Sequence, residues 1–315
     1  MAATFLVTGA AGFIGSHSVE RLLAEGHNVV AVDNLRSGRL ENLAAALATG
    51  RCHWRQLDVT DEAALHALFR ERRFDGVLHL AALVSVVESF EQPTLNARIN
   101  LYATDTVARL CLEHSCPRLV FASSAAVYGN PQRLPNREDD PTRPLSPYGA
   151  AKLAAEDMLL GYARSYGLQT VCLRYFNVYG PCQDPSSPYS GVLSIFARRF
   201  RDGQPVTVYG DGEQTRDFVA VQDVARVNSR ALTQEQVESG CYNVCHGRPV
   251  SLNEVLAVFR ERYPGAPPAR YEAARPGDIR HSAGDPGRLA QFFTITLGIA
   301  LREGLHMLLN VEEKL

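Results

Sequence analysis

Phe5-Leu6-Val7-Thr8-Gly9-Ala10-Ala11-Gly12-Phe13-Ile14-Gly15 opens the chain, and its reading decides the fold. Phe5-Leu6-Val7 is a short apolar run of the kind a buried parallel strand carries. The chain turns at Gly9, and a helix is expected to begin near Gly12 to Gly15, with apolar positions at Ile14, Val19, Leu22 and Leu23. Strand, glycine turn and helix in that order let backbone N–H groups approach a pyrophosphate at a helix N-terminus. A second apolar run, Asn28 to Val32, ends in Asp33, an acid placed to hydrogen-bond a ribose diol. A 2′-phosphate would meet the negative charge of Asp33, so the expected cofactor is NAD rather than NADP. Arg36 nearby pulls weakly the other way. A glycine turn and a loop aspartate are ordinary features singly; the ordered series is specific.

Far downstream lies Ser146-Pro147-Tyr148-Gly149-Ala150-Ala151-Lys152. Ser146 suits an N-cap and Pro147 the first helical position, and the residues that follow are strong helix formers. Tyr148 therefore falls in the first turn, with Lys152 one turn on along the same face. A free tyrosine titrates near ~10, and an adjacent ammonium favours its phenolate. Taken alone, Tyr-x-x-x-Lys fits a surface helix with a snorkelling lysine better than a site. Joined to the glycine opening, it describes a tyrosine general base beside a bound nicotinamide.

Composition bounds the function. The chain has 315 residues, 46% hydrophobic and 21% charged, enough for a sizeable core in one large or two modest domains. A net charge of −2 offers no electrostatic footprint for nucleic acid or an anionic membrane. No apolar run reaches membrane-spanning length, and the first strand starts too near Met1 for a signal peptide to fit before it. Seven scattered cysteines read as reduced thiols, so a cytoplasmic protein is expected. Cys241-x-x-x-Cys245-His246 lacks a second ligand pair at zinc spacing, and no metal is expected.

The glycines recur at every third position, Gly9, Gly12 and Gly15. With the segments below, this resembles the extended short-chain dehydrogenase/reductase family and, within it, the nucleotide-sugar 4-epimerases. Val32-Asp33-Asn34-Leu35 is similar to the family's second-strand end, and Leu57-Asp58-Val59 to the segment whose aspartate contacts adenine. His79-Leu80-Ala81-Ala82 resembles the strand end lining the nicotinamide side. Ser123-Ser124-Ala125-Ala126-Val127-Tyr128-Gly129 resembles the catalytic serine segment. Arg174 to Pro181, Gly210 to Phe218 and Arg275 to Arg280 resemble the substrate-side segments.

The resemblance implies a set of roles. Gly9, Gly12, Phe13, Ile14, Gly15, Asp33, Asn34, Asp58, Val59, Leu80, Ala81 and Ala82 would line NAD, together with Tyr148 and Lys152. Tyr148 would exchange the proton of the sugar 4-hydroxyl, Lys152 would lower its pKa and hold the nicotinamide ribose, and Ser124 would hydrogen-bond the reacting oxygen. Ser123 is the neighbour most easily confused with Ser124. Asn177, Arg216 and Arg275 are implied at a diphosphate, where guanidinium groups match phosphate oxygens bidentately. Asp278 is implied at ribose hydroxyls and Tyr209 near the base. Ser85 is open between touching the substrate and a loop hydrogen bond. Ser282 is implied to border the substituent on sugar carbon 2, where serine leaves room for an acetamido group.

The expected architecture is α/β, a doubly wound parallel sheet with a smaller α/β substrate-binding lobe. Residues 1–176 and 218–244 would form the NAD-binding part, and 177–217 and 245–315 the nucleotide-sugar part. Helical stretches over Asn96 to His114 and after Tyr148 are apolar on more than one face, and the resemblance implies that they pair in a homodimer. The expected activity is C4 epimerisation of a UDP-hexose, glucose/galactose and the N-acetylated pair. A 4,6-dehydratase or UDP-glucuronate decarboxylase is the alternative, but their extra acid–base residues are matched here by Ala125 and Ala126, which move no protons. An inactive NAD-binding protein is weakened by the intact tyrosine and lysine.

Overall fold

The computed structural model describes residues 2–183, 191–274 and 279–312. The apolar runs form strands β1 (Thr4–Thr8), β2 (Asn28–Asp33), β3 (Cys52–Gln56), β4 (Gly76–His79), β5 (Arg118–Ser124) and β6 (Gln169–Tyr175). Short strands follow: β7 (Asn177–Tyr179), β8 (Thr207–Tyr209), β9 (Thr215–Arg216) and β10 (Phe218–Ala220). The last are β11 (Gly240–Val244), β12 (Val250–Ser251) and β13 (Arg270–Glu272). The helices are α1 (Phe13–Ala24), α2 (Ala44–Leu47), α3 (Glu62–Glu71), α4 (Val86–Glu91), α5 (Pro93–Ala97) and α6 (Ala103–Glu113). Then come α7 (Pro147–Tyr166), α8 (Val192–Arg201), α9 (Val221–Thr233), α10 (Leu252–Arg262), α11 (Gly287–Phe293) and α12 (Leu301–Glu312).

Among the described residues, seven parallel strands form one sheet in the order β11-β6-β5-β4-β1-β2-β3. The chain leaves β1 toward β2 and β3, then crosses back to β4 and onward. The order therefore reverses between β1 and β4, and a crevice at their C-terminal ends is where such sheets bind ligands. Leu6, Val7, Leu78, Val120 and Val171 are wholly buried, as expected for strands covered on both faces. β3 had no strand signal; Cys52-His53-Trp54-Arg55-Gln56 is the sheet edge, and its outer end stays exposed. α9 returns to the large lobe against α1.

The smaller lobe gathers the pairs β10–β7, β12–β9 and β13–β8 beside α8, α10 and α12. Its core centres on Phe196, Phe200 and Phe259, with the Phe200 and Phe259 rings stacked 5.1 Å apart. Not all of 245–315 builds this lobe. α11 packs on β11, and Leu289, Phe293 and Ile295 join the core of the large lobe. The edge strand β11 leaves Tyr242 needing cover, and the Phe293 ring supplies it at 4.9 Å.

Candidate active site

The glycine turn forms a cradle that side chains would fill. Gly9 has φ +68°, and a Cβ there would lie 2.7 Å from the Ala81 backbone nitrogen. A Cβ on Gly15 would lie 2.0 Å from the Gly9 carbonyl oxygen. Gly12 is the N-cap of α1 and supplies no side-chain cap, so the N–H groups of Phe13, Ile14 and Gly15 stay available to an anion. No acidic residue stands in that first turn to oppose one.

Asp33 ends β2 and is buried. Its Oδ2 accepts from the Ala11 N–H at 3.1 Å and its Oδ1 from the Leu35 N–H at 2.8 Å. Burial raises its carboxyl pKa, and these backbone donors oppose the rise. Asn34 Nδ2 donates to Asp58 Oδ2 at 2.8 Å. Burial disfavours the charged Asp58, but donors from Thr60 and Asn34 outweigh it and hold the carboxyl below its ordinary range. Val59 is buried beside it. Arg36, the residue that spoke against NAD, is held by the carboxylate of Glu88 in α4. The donor set and the open cradle thus fit an adenine dinucleotide.

Leu80, Ala81 and Ala82 leave β4 at the switch point. The Ala81 N–H donates to Thr8 Oγ1 at 3.2 Å, and the same hydroxyl meets His79 Nδ1 at 2.7 Å. His79 is buried, and desolvation first, with Lys152 second, pushes its pKa down to about 3. It is a neutral post under the crevice, not an acid–base group.

Tyr148, Lys152 and Ser124 come together where the first turns of α7 meet the end of β5. Ser146 Oγ accepts the Gly149 N–H at 3.1 Å, and Pro147 opens α7. The Tyr148 N–H donates to Ser89 Oγ at 3.2 Å. Burial raises the Tyr148 phenol pKa, and a hydrogen bond with Ser124 at the end of β5 opposes it. Lys152 is buried, donates to the Ala122 carbonyl at 2.8 Å, and lies 4.7 Å from the Phe121 ring centre and 5.9 Å from that of Tyr148. Desolvation pushes its pKa down to about 7, against the pull of Glu156. Lys152 and Lys314 are the only lysines among the chain's 32 Lys and Arg. A guanidinium would stay charged in this position, whereas an amine can be tuned.

Two buried asparagines, given no role by the sequence reading, hold the site together. Asn100 pairs with both backbone groups of Leu83, donating at 2.9 Å and accepting at 3.0 Å. Asn96 donates to the Pro147 carbonyl at 2.9 Å. They tie the strand end of β4 to the first turn of α7. Buried side-chain amides in an otherwise apolar helical pattern were the available clue. Ser85 caps α4, accepting the Glu88 N–H at 2.9 Å, so it makes the loop hydrogen bond.

Among the residues expected at the substrate, Arg216 and Ser282 meet at one carbonyl. Arg216 Nη1 donates to the Thr215 oxygen at 2.9 Å, and the Ser282 N–H donates to it at 3.1 Å. Tyr209 ends β8, and its carbonyl accepts from Gln214 at 2.6 Å. Asn177 starts β7 with an exposed side chain. Buried Asp217, another residue without an assigned role, accepts N–H groups from His246, Gly247 and Gly284 and gathers these segments. Arg275 and Asp278 lie outside the described residues. The seven cysteines are free. Cys241, Cys245 and His246 form no ligand group; among the described residues only His66, Glu113 and His114 do, at the surface beside α3 and α6.

A doubly wound sheet, a glycine cradle at its switch point and a tyrosine–lysine pair beside it define a dinucleotide-dependent enzyme of the short-chain dehydrogenase build. The chain belongs to the NAD dependent epimerase/dehydratase family, whose profile matches residues 5–245. It is 37% identical over 301 residues, 95% of each chain, to a UDP-glucose 4-epimerase of Mycolicibacterium smegmatis. It superposes on the Thermus thermophilus UDP-glucose 4-epimerase in complex with NAD, with TM-score 0.88, 39% identity and 98% of each chain covered. A UDP-N-acetylglucosamine 4-epimerase of Methanobrevibacter ruminantium, in complex with UDP-N-acetylmuramic acid, gives TM-score 0.94 at 33% identity, covering 100% of this chain and 99% of that one.

Proposed function

We propose that this enzyme interconverts UDP-hexoses at sugar carbon 4 through a transient 4-keto sugar, using NAD. The observation that carries the reading is the end of β5. Ser124 meets Tyr148, and the next two residues, Ala125 and Ala126, offer no second acid or base. An enzyme that eliminates water or carbon dioxide after the oxidation needs such a group; one that only reverses the oxidation does not. The names of the relatives point the same way.

Tyr148 takes the proton of the 4-hydroxyl, and Ser124 donates a hydrogen bond to that oxygen as charge develops. Lys152 lowers the phenol pKa by its charge. NAD, held by the glycine cradle with Asp33 and Lys152, would supply the hydride acceptor and donor for carbon 4, the return being to the opposite face of the sugar. The diphosphate stays anchored between the two steps by Arg216, Arg275 and Asn177, while Asp278 and Tyr209 hold the nucleoside. Residues 177–217 and most of 245–315 serve this half of the site. Incubation with a panel of UDP-sugars, read by NMR, tests the reading: C4 epimers are expected, and none from any of them would sink it.

The reading extends to the N-acetylated pair because Ser282, beside Arg216, is small. Ser282→Tyr is expected to lower turnover of UDP-N-acetylglucosamine by about 100-fold or more while sparing UDP-glucose, since a phenol and an acetamido group compete for one volume. Equal loss on both sugars would remove Ser282 as the gatekeeper.

We also infer a homodimer and a cytoplasmic setting. Tyr102 ahead of α6 is 65% exposed and Tyr166 at the end of α7 is 68% exposed, two aromatic side chains left for a partner, whereas Val107, Leu110 and Leu159 of the same helices are taken up by the chain's own core. Light scattering at micromolar concentration should give twice the chain mass, and a monomer would contradict the pairing. No described helix is long and apolar enough to cross a membrane.

A further inference from the structure

The face of α7 that carries Tyr148 and Lys152 continues one turn further to Glu156, again four residues on. Glu156 is 1% exposed, and no step above uses it. Its carboxylate takes a short hydrogen bond from the Ser123 hydroxyl. It also pairs with Arg174, whose Nε lies 3.0 and 3.2 Å and whose Nη2 lies 2.7 Å from its oxygens. Cys241 Sγ lies 3.4 Å away. Ser123, Arg174 and Asn243 are register partners across β5, β6 and β11, so one polar rung runs under the helix. Arg174 reaches on to Tyr128 at 3.0 Å, and Tyr128 donates to Asn243 at 2.6 Å.

Three consecutive residues of β5 thus meet three successive turns of α7. Ala122 accepts from Lys152, Ser123 donates to Glu156, and Ser124 meets Tyr148. We propose that Glu156, with Ser123 and Arg174, is a positioning group for the reaction inferred above: it locks the rotation of α7 on the sheet and sets a negative charge one turn behind the Lys152 ammonium. A buried ion pair is weak support for stability, since its desolvation offsets most of the attraction. A role in registering and charging the site accounts for its retention.

The other groups around Lys152 do not supply that charge. On β4, His79 is neutral. On β5 there are the Phe121 ring and the Ala122 carbonyl. On β6, Arg174 is cationic, and the Cys172 thiol is raised by its contact with Cys241 on β11 and by burial. Tyr128 is raised by burial and stays protonated. The sign follows directly. The Lys152 charge is present below its pKa and lost as pH rises through it. Burial has brought that pKa down to about 7, and Glu156 holds it from falling further. Removing the carboxylate should move the loss of charge to lower pH.

The chain's two lysines make this measurable. NAD-loaded protein carrying Lys314→Arg and labelled with 15N-lysine leaves a single side-chain signal to titrate. Glu156→Gln should lower the Lys152 midpoint by about one pH unit or more, the size of a lost opposite charge. The alkaline limb of kcat should move down with it. Ser123→Ala keeps both charges, so it should leave the midpoint in place and lower kcat about fivefold at unchanged KM through lost register. A folded Glu156→Gln protein with an unmoved Lys152 midpoint overturns the proposal. Should that variant fail to fold, Ser123→Ala decides: turnover within twofold of the parent overturns it. If the parent turns over no UDP-sugar yet Lys152 still titrates lower in Glu156→Gln, the reading of function fails while the role of Glu156 in charging Lys152 stands.

Discussion

Tyr148→Phe should lower kcat by about 10³-fold, the middle of the range for a positioned acid–base group. The ring keeps its place, because α7 is anchored by Ser146, by Asn96 at the Pro147 carbonyl and by Ser89 at the Tyr148 N–H, none of which needs the phenol oxygen. Melting temperature and NAD content should therefore stay near those of the parent. The loss should appear equally in kcat and kcat/KM, as expected when an interaction made only in the transition state is removed. Turnover within tenfold of the parent would end the assignment of Tyr148 as the base, and Ser124 would be the next group to test.

The second large effect is expected at the cradle. Gly15→Ala places a methyl group 2.0 Å from the Gly9 oxygen and 2.8 Å from Ala10 Cα, both backbone atoms that cannot swing aside. The turn must open and the N–H groups of α1 lose their aim. The protein should emerge from gel filtration without bound NAD and with activity below about 1% of the parent, as misplacing a reacting group by about 1 Å costs on the order of 100-fold. Gly161→Ala is the matched control. Gly161 lies inside α7 with nothing within 4 Å of a new Cβ, so alanine there should be neutral or stabilise the helix by about 0.5–1 kcal/mol. A Gly15→Ala protein that keeps its NAD would mean that the dinucleotide is not held at this turn.

What could be read from the sequence was local. The run from Phe5 to Gly15 needs only neighbouring residues to become strand, turn and helix, and it does. The N-cap Ser146, Pro147 and the four-residue step to Lys152 likewise place a tyrosine and a lysine on one helix face. The unread parts depend on distant partners. Glu156 continues the same stripe, but only the rung of Ser123 and Arg174 tells a buried carboxylate from a solvated one. Asn100 matters because Leu83 folds back on it. β3 reads as polar because it is an edge, and α11 reads as part of the second lobe because nothing local says that Tyr242 needs cover.

The account's central claim is that carbon 4 is oxidised and reduced again within one enclosed site, with Tyr148 moving the proton. UDP-glucose carrying deuterium at carbon 4 tests it most directly, incubated with the NAD-loaded protein in ordinary water and followed by NMR. The account predicts UDP-galactose that retains the deuterium at carbon 4, with no exchange at carbon 5 or 6. Loss of the label to solvent, exchange at carbon 5 or 6, or a product lacking the 6-hydroxyl would contradict it.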